Sequence, residues 1–400
     1  MITHEVEVLI AGLGPVGSVA ALALARKGIS VAAFDARPSG ATDLRASTFH
    51  APTIEMLDDL GVADVLLETG LKSPVYQYRD RQSGDVFAFD LTELSDVTRF
   101  PFRIQREQHV LAQHVTSVLE QLGDVNISHN TRLLYFEQSE DRVVAYVETD
   151  RGVERYIARF LIGADGANSI TRKLLDLGFP GFTWDDKYLC LSTAEPVENY
   201  LDSICYVNYI SDPEEWMVLL KVPSLWRILV PAKDSDTDAD LVSDANKDAV
   251  FARMLGNDVK VTTEHRTVYR VHQRVCETFA KGRVALIGDS AHINSPMGGF
   301  GMNSGVHDAV NLAEKLVAIL RDGGDLALLD LYDRQRRTIT TDFVQAQTIE
   351  NTQNMKAGWG KASEGRRANM ERLTGDAQAR RAYLMRQSMF TSLSDAKAIV

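Results

Sequence analysis

Val6 to Ala11 reads as a buried strand, Val16 to Lys27 as an alanine-rich helix and Ser30 to Phe34 as a second strand. Together they predict a βαβ unit at the start of the chain. Thr53 to Leu60 carries a helical stripe, and Ser73 to Leu91 alternates as two strands about Ser83-Gly84. Arg106 to Leu122 is a long amphipathic helix by the spacing of its apolar positions. Three alternating segments, Arg132 to Gln138, Arg142 to Thr149 and Glu154 to Arg159, are joined by polar turns at Glu140-Asp141 and Arg151-Gly152 and predict a small antiparallel meander. From 187 to 272 the chain changes character. Strands rich in aromatic and β-branched residues, "SICYVNYI", "EWMVLLKV" and "WRILVPA", surround one helix near 239–255 and predict a second sheet on which a substrate is held. "GRVALIGDSAH" then predicts a strand and a sharp loop, Gly301 to Leu320 a long helix, and the chain from Leu326 onward further helix rich in Arg and Gln.

This alternation is that of an α/β fold. A length of 400 residues suits one large or two interleaved α/β domains. An apolar fraction of 45% and a charged fraction of 24% are globular values, which excludes a disordered or fibrous chain. A formal net charge of −12 argues against nucleic acid or an anionic membrane as the main partner. Cys190, Cys205 and Cys276 are odd in number and widely spaced, so reduced thiols are expected rather than a disulfide framework or a metal site. Met1 to Glu5 leads straight into the first strand without a secretory leader, and no run of 18 apolar residues occurs; a cytoplasmic address is expected.

Three glycine-rich corners carry the candidate chemistry. In the first, Gly12-Leu13-Gly14-Pro15-Val16-Gly17 joins strand to helix as a dinucleotide fingerprint requires: Gly12 for the tight turn, Gly14 for close approach of a pyrophosphate, Gly17 for helix packing. Asp35 ends the second strand, where a carboxylate accepts from ribose hydroxyls, and Ala36 and Arg37 continue that adenosine side. The second corner is Gly163-Ala164-Asp165-Gly166-Ala167-Asn168-Ser169. Read alone, it is equally a strand end in which Asp165 or Asn168 caps the helix bearing Arg172 and Lys173. The third runs from Gly288-Asp289-Ser290-Ala291-His292 to Pro296-Met297-Gly298-Gly299-Phe300-Gly301-Met302-Asn303, with Asp289 at a strand's carboxyl end and a glycine loop opening the long helix.

With these stretches the sequence resembles the single-component FAD-dependent aromatic hydroxylases, the p-hydroxybenzoate hydroxylase-like family, and in loop detail its phenol hydroxylase branch. "GLGPVG", "GADGANSITR" and "GRVALIGDSAHINSPMGGFGMNSGVHDAVNLAEKL" occur in family order, and with "RASTFHAPTIEMLDDLG" and "FRIQREQHVLAQHV" the resemblance spans about residues 5–320. It implies a discontinuous Rossmann-like FAD-binding domain (1–75, 100–185 and 275–325), a substrate-binding β-sheet domain (76–99 and 186–274) and a helical C-terminal segment (326–400). It further implies that Asp165 and Gly166 serve a corner near flavin and nicotinamide, with Arg172 in support. Gly288 and Asp289 would bind the ribityl or pyrophosphate stretch of FAD, Arg45 and Gln105 would reach further along it, and Pro296 to Asn303 would line the isoalloxazine ring. NAD(P)H would be a transient reductant with no domain of its own, so Asp35 does not report its identity.

The reaction that follows from the resemblance is reduction of FAD, addition of O₂ at flavin C4a and transfer of the distal hydroperoxide oxygen to a small or medium phenolic or hydroxypyridine-like ring. The cofactor does the difficult chemistry, and the protein supplies a dry pocket, a held ring and a proton acceptor. Tyr206, Arg227 and His50 are the expected catalytic side chains, ahead of Tyr209, Trp216, Trp226 and Tyr76, which alternate as core residues do. His292 is expected to brace its loop, and His307 and Asp308 to pack or cap. A complete carboxylate-binding set of the benzoate-specific members does not match. An FAD-dependent epoxidase or dehydrogenase, or a non-enzymatic flavin sensor, keeps the same framework. A flavin halogenase fits less well, because "LWRILVP" keeps only Trp226 and Pro231 of its WxWxIP signature. A homodimer is expected by family analogy alone.

Overall fold

The computed structural model describes residues 2–39, 42, 46–123, 125–357 and 364–400, and the features below belong to those residues. Strand Thr3–Ala11 is buried on both faces over Val8 to Ala11, as a central parallel strand must be. It pairs in parallel with Val31–Phe34 on one side and with Gly152–Gly163 on the other. Val284–Leu286 pairs in parallel beyond Gly152–Gly163, and Val125–Ser128 beyond Val31–Phe34. This order sets the ends of three adjacent strands, and hence all three glycine corners, side by side at one edge of the sheet.

The meander forms as expected, with one difference. Its third strand and the strand entering "LIGADG" are a single element, Gly152–Gly163, whose first half pairs antiparallel with Val143–Thr149 and whose whole length pairs in parallel with Thr3–Ala11. Burial alternates to Ala158 and becomes continuous from Phe160, so the pattern records two environments along one strand. The expected helix near 239–255 is likewise two, Asp238–Leu241 and Asp244–Leu255, because Ser243 accepts from the Asn246 amide and starts a new helix.

A second, mixed sheet runs in the order His292–Ile293, His265–Val275, Gly181–Thr193, Trp226–Lys233, Met217–Lys221, Val207–Ser211, Val75–Asp80 and Val86–Asp90. One face packs on helix Asp244–Leu255 through Ile210, Met217, Leu219 and Ile228. The other carries Tyr76, Tyr78, Cys190, Tyr209, Val218 and Leu229, and its outer part lies under the C-terminal helices through Met370, Leu373 and Leu384. A small sheet of Thr48–Phe49, Arg103–Gln105 and Leu71–Ser73 forms the hinge of chain between the two larger sheets. Among the described residues no helix is long and apolar enough to cross a membrane.

Helix Phe300–Arg321 is fastened to the third corner by one fully buried carboxylate. Asp308 accepts from the Gly288 amide (3.1 Å) and His292 Nε2 (2.8 Å) with one oxygen, and from Arg336 Nε (2.6 Å) with the other. Burial alone raises the pKa of Asp308, but Arg336 and His292 outweigh it and hold the carboxyl below its usual value. Its contribution to stability is therefore present above the ordinary carboxylate pKa of about 4 and lost as pH falls below that. Arg336→Met leaves this charge buried without its strongest partner and is expected to cost about 3–5 kcal/mol in urea unfolding at neutral pH. A loss under about 1 kcal/mol would contradict this role.

Candidate active site

A single cavity of about 1220 Å³ runs from the glycine corners to the second sheet. That exceeds the several hundred cubic ångströms typical of a site for one small ligand, and leaves room for a dinucleotide with a small ring beside it. At the first corner Gly12, Gly14, Pro15, Val16 and Gly17 all line the cavity. The three glycines are there for different reasons. A Cβ on Gly12 would lie 2.3 Å from the Ala164 carbonyl oxygen, and one on Gly17 would lie 2.0 Å from that of Gly12, so the fold itself forbids both. A Cβ on Gly14 meets only Arg37 Nη2, at 4.0 Å, in a backbone conformation any residue adopts. Nothing in the folded chain requires that glycine, and a ligand lying against it would.

Helix Pro15–Ala25 starts here with Pro at its first turn, no side-chain cap and no acidic residue competing for its free amides. Helix Phe300–Arg321 opens on the same cavity, behind Gly299 in the left-handed conformation (φ 71°), and is also uncapped and free of acid in its first turn. Two helix N-termini converging on one space favour negative charge there. Asp35 accepts from the Leu13 amide at 2.9 Å and the Arg37 amide at 2.8 Å, and pairs with the Arg37 guanidinium. Burial raises its pKa, but these donors prevail and lower it, so it is a carboxylate at neutral pH. Ala36 and Arg37 line the cavity beside it. Arg45 lies outside the described residues.

Asp165, Gly166 and Asp289 also line the cavity. Asp165 accepts from the Thr171 amide (2.9 Å) and hydroxyl (3.0 Å) and from Ser169 Oγ, so it both faces the space and starts helix Ile170–Leu174. Arg172 ties the second corner to the third, donating to the carbonyl oxygens of Ala167 and Ser290, both at 2.7 Å, with its guanidinium over the Phe179 ring. Gly288 stands behind the lining, its amide held by Asp308. His292 braces the loop through Asp308, while neutral His307, lowered to about 3 by burial and Arg336, meets Thr53.

Around the expected isoalloxazine position the residues divide. Pro296, Gly299, Gly301 and Met302 line the cavity. Phe300 and Asn303 do not. Phe300 turns inward onto Ile339, Phe343 and Met389, because the left-handed turn at Gly298 and Gly299 reverses the chain just before it. Asn303 is consumed in holding the corner: it donates to the Thr48 and Gly299 carbonyls and accepts from the His50 amide. Gln105 accepts from Thr48 Oγ1 at 2.9 Å, while its Nε2 is buried with no acceptor among the described residues. An orphaned buried donor beside the cavity-lining Thr48 fits the carbonyl- and hydroxyl-rich middle of a flavin dinucleotide.

Of the three expected catalytic side chains, only Arg227 lines the cavity. It is 8% exposed and donates to Ser47 Oγ at 3.3 Å, with Cys190 Sγ at 3.8 Å. Tyr206 is 38% exposed and stands outside the lining. The strand begins at Val207, and strand alternation gives the inward phase to Val207 and Tyr209, leaving Tyr206 and Ile210 on the opposite phase. His50 is fully buried behind the lining. Its Nε2 donates to the Gly298 carbonyl at 2.9 Å and its ring stacks on Phe300, while burial first and Arg103 second push its pKa well below 6.5. It is a neutral buttress of the Gly298-Gly299 turn. Trp226 faces the other side of the sheet. Tyr269, Cys190, Ser47 and Thr48 line the cavity without having been expected there; alternation in "TVYRVHQ" places Tyr269 and Val271 on one face, which is the signal that could have found them.

The FAD binding domain family matches residues 5–347 of the chain. Para-nitrophenol 4-monooxygenase of Pseudomonas sp. (strain WBC-3) is 31% identical over 354 residues, 87% of this chain and 87% of the relative. The 6-hydroxy-3-succinoylpyridine 3-monooxygenase HspB of Pseudomonas putida is 28% identical over 358 residues, 88% of this chain and 91% of the relative. The crystal structure of p-nitrophenol 4-monooxygenase PnpA from Pseudomonas putida DLL-E4 superposes with a TM-score of 0.91 at 28% identity, covering 98% of this chain and 99% of that one.

Gly14→Val is expected to leave unfolding unchanged within about 0.5 kcal/mol and to weaken FAD binding at least about tenfold, or 1.4 kcal/mol, by fluorescence titration; retained affinity would contradict the reading of Gly14. Gly17→Val is expected to fail at the folding step, because its Cβ has no space even without a ligand. The glycine corners, the orphaned donor and the relatives converge: the chain belongs to the single-component FAD-dependent aromatic hydroxylases, the family of the FAD binding domain monooxygenases.

Proposed function

We propose that this enzyme hydroxylates a small phenolic or hydroxypyridine-type ring held between the glycine corners and the second sheet, with O₂ as co-substrate and NAD(P)H as reductant. The observation that carries the reading is the continuity of the cavity. The space bounded by Gly14, Asp35 and Asp289 is the same space that Tyr209, Arg227 and Tyr269 close at its far end. The relatives act, by their names, on nitrophenol, pentachlorophenol and a hydroxypyridine. A ring carrying a hydroxyl is the chemistry these have in common.

FAD, when bound, supplies activated oxygen to the ring. Gly14, Asp35, Asp165, Gln105 and Asp289 are proposed to hold it, with Pro296, Gly299, Gly301 and Met302 toward its ring system. The aromatic end of the cavity is walled by Val218, Leu220, Leu229, Val271 and Met297, which exclude water from the reacting centre. Arg227 is proposed to orient the ring through a charged hydrogen bond to an oxygen substituent. Tyr269 stands beside it with a pKa pushed well above 10 by burial, only partly offset by Arg227, so it is a donor and not a base at neutral pH. Residues 76–99 and 186–274 are proposed to form the substrate-holding unit. A cytoplasmic address belongs to the same proposal, supported by three unpaired cysteines.

The test is oxidation of NADH and NADPH by FAD-loaded protein with nitrophenols, chlorophenols, hydroxypyridines and hydroxybenzoates, with hydroxylated product and H₂O₂ measured together. At least one phenolic is expected to stimulate oxidation and to yield product in near-stoichiometric amount. Arg227→Met is expected to raise the KM for that ring at least about tenfold with FAD content unchanged. Stimulation by no ring, with FAD bound and reducible, would overturn the reading.

A further inference from the structure

Arg103 is 2% exposed and lies on strand Arg103–Gln105, its side chain on the same side as Gln105. Its guanidinium stands over the ring of Tyr76, 4.1 Å from the centroid, and beside the hydroxyl of Tyr209. Its Nε and Nη1 meet no acceptor among the described residues. The titratable groups facing it come from five elements: Tyr76 and Tyr78 on Val75–Asp80, Tyr209 on Val207–Ser211, Cys205 just ahead of that strand, His50 ahead of helix Ala51–Asp59, and Tyr383 on helix Ala377–Gln387. None is a carboxylate. Burial pushes Tyr76 and Tyr383 well above 10, Tyr78 up to about 12 and Cys205 upward, and His50 is neutral. Asp80, the buried acid of the neighbouring strand, is turned into its own hairpin, accepting from the amides of Gln82 and Ser83. A second cation, Arg366, approaches Tyr78 from the C-terminal helices.

A buried cation with no counter-charge is strongly unfavourable unless something else brings the charge. The group between Arg103 and the cavity is Tyr209, whose side chain lines the aromatic end. A phenol oxygen that accepts from a guanidinium turns its own hydrogen away and becomes a stronger donor to the next acceptor. We propose that Arg103 is the positioning residue that makes the aromatic pocket select ionised rings, acting through the Tyr209 hydroxyl on an oxyanion borne by the substrate. This rests on the ring-hydroxylase reading and deepens it: the substrate class is phenolates rather than phenols, and the ring enters already enriched in electrons, as oxygen transfer to it requires.

The experiment uses FAD-loaded protein with two probes, 4-nitrophenol, whose ionised and neutral forms absorb differently, and 4-nitroanisole, which cannot ionise. In the wild-type protein the bound nitrophenol is expected to titrate at least about one pH unit below the free probe, about a tenfold preference for the phenolate. Arg103→Gln is expected to bring that titration back toward the free value and to weaken the phenolate at least about tenfold, while 4-nitroanisole affinity and FAD content stay within about threefold. Arg103→Lys, which keeps the charge, is expected to restore part of the shift. Wild-type-like titration in Arg103→Gln would overturn the proposal, as would loss of FAD from a folded Arg103→Gln protein, which would assign the guanidinium to the cofactor. Independently of any variant, equal wild-type affinity for 4-nitrophenolate and 4-nitroanisole overturns the proposal while leaving the hydroxylase reading in place. Wild-type protein that binds neither probe overturns both.

Discussion

The carboxylate of Asp308 is the constraint on which the site depends. It is fully buried, and its three donors come from separate parts of the chain: the Gly288 amide, the His292 ring and the Arg336 guanidinium. No acid can sit there without all of them, because an unpaired charge in that interior would favour the unfolded chain. Through these bonds the strand end that delivers Asp289, the loop that leads to Gly299 and the first C-terminal helix are set relative to one another. Arg172 then carries the same register to the second corner through the Ser290 carbonyl. The cavity is the space these fixed corners leave.

That arrangement explains why cofactor and substrate share one enclosure. Parallel strands end together at one edge of the first sheet, and the helices that follow them open there with uncapped amides, which makes the edge electropositive without spending side chains. The second sheet meets that edge with a face of tyrosines, aliphatic residues and two buried guanidinia, Arg103 and Arg227. Cation and dipole at opposite ends of an apolar chamber suit a flavin at one end and an oxygen-bearing ring at the other. The C-terminal helices complete the chamber's outer wall, Tyr383 packing on Phe89 and Arg380 pairing with Glu93.

Much of this was legible in the sequence because it rests on local rules. Gly12 and Gly17 are dictated by backbone contacts within one βαβ unit, and Asp35 by the end of its second strand. The failures share a cause. Tyr206 was read from the aromatic richness of "SICYVNYI", but which alternate residues face the ligand depends on where pairing with Met217–Lys221 begins, and that is a non-local choice giving the phase to Tyr209. Phe300 and Asn303 sit in a motif whose two ends are local and whose middle is decided by the left-handed turn before it. Arg103 is next to a residue singled out from the sequence, yet its meaning appears only when Tyr76, Tyr209 and Tyr383 gather round it from distant segments. Likewise the Arg- and Gln-rich end of the chain has no signature of its own, and its Tyr383 and Arg366 acquire a role only by packing on the second sheet.

The central claim is that one enclosure brings a flavin and a ring close enough for an oxygen atom to pass between them. It is tested most directly by turnover of the FAD-loaded protein under ¹⁸O₂ with NAD(P)H and a phenolic substrate, followed by mass analysis of the product. The account predicts one ¹⁸O atom on the ring per coenzyme oxidised, with little H₂O₂. Product oxygen drawn from water, or coenzyme oxidation ending wholly in H₂O₂ with every ring that binds, would contradict it.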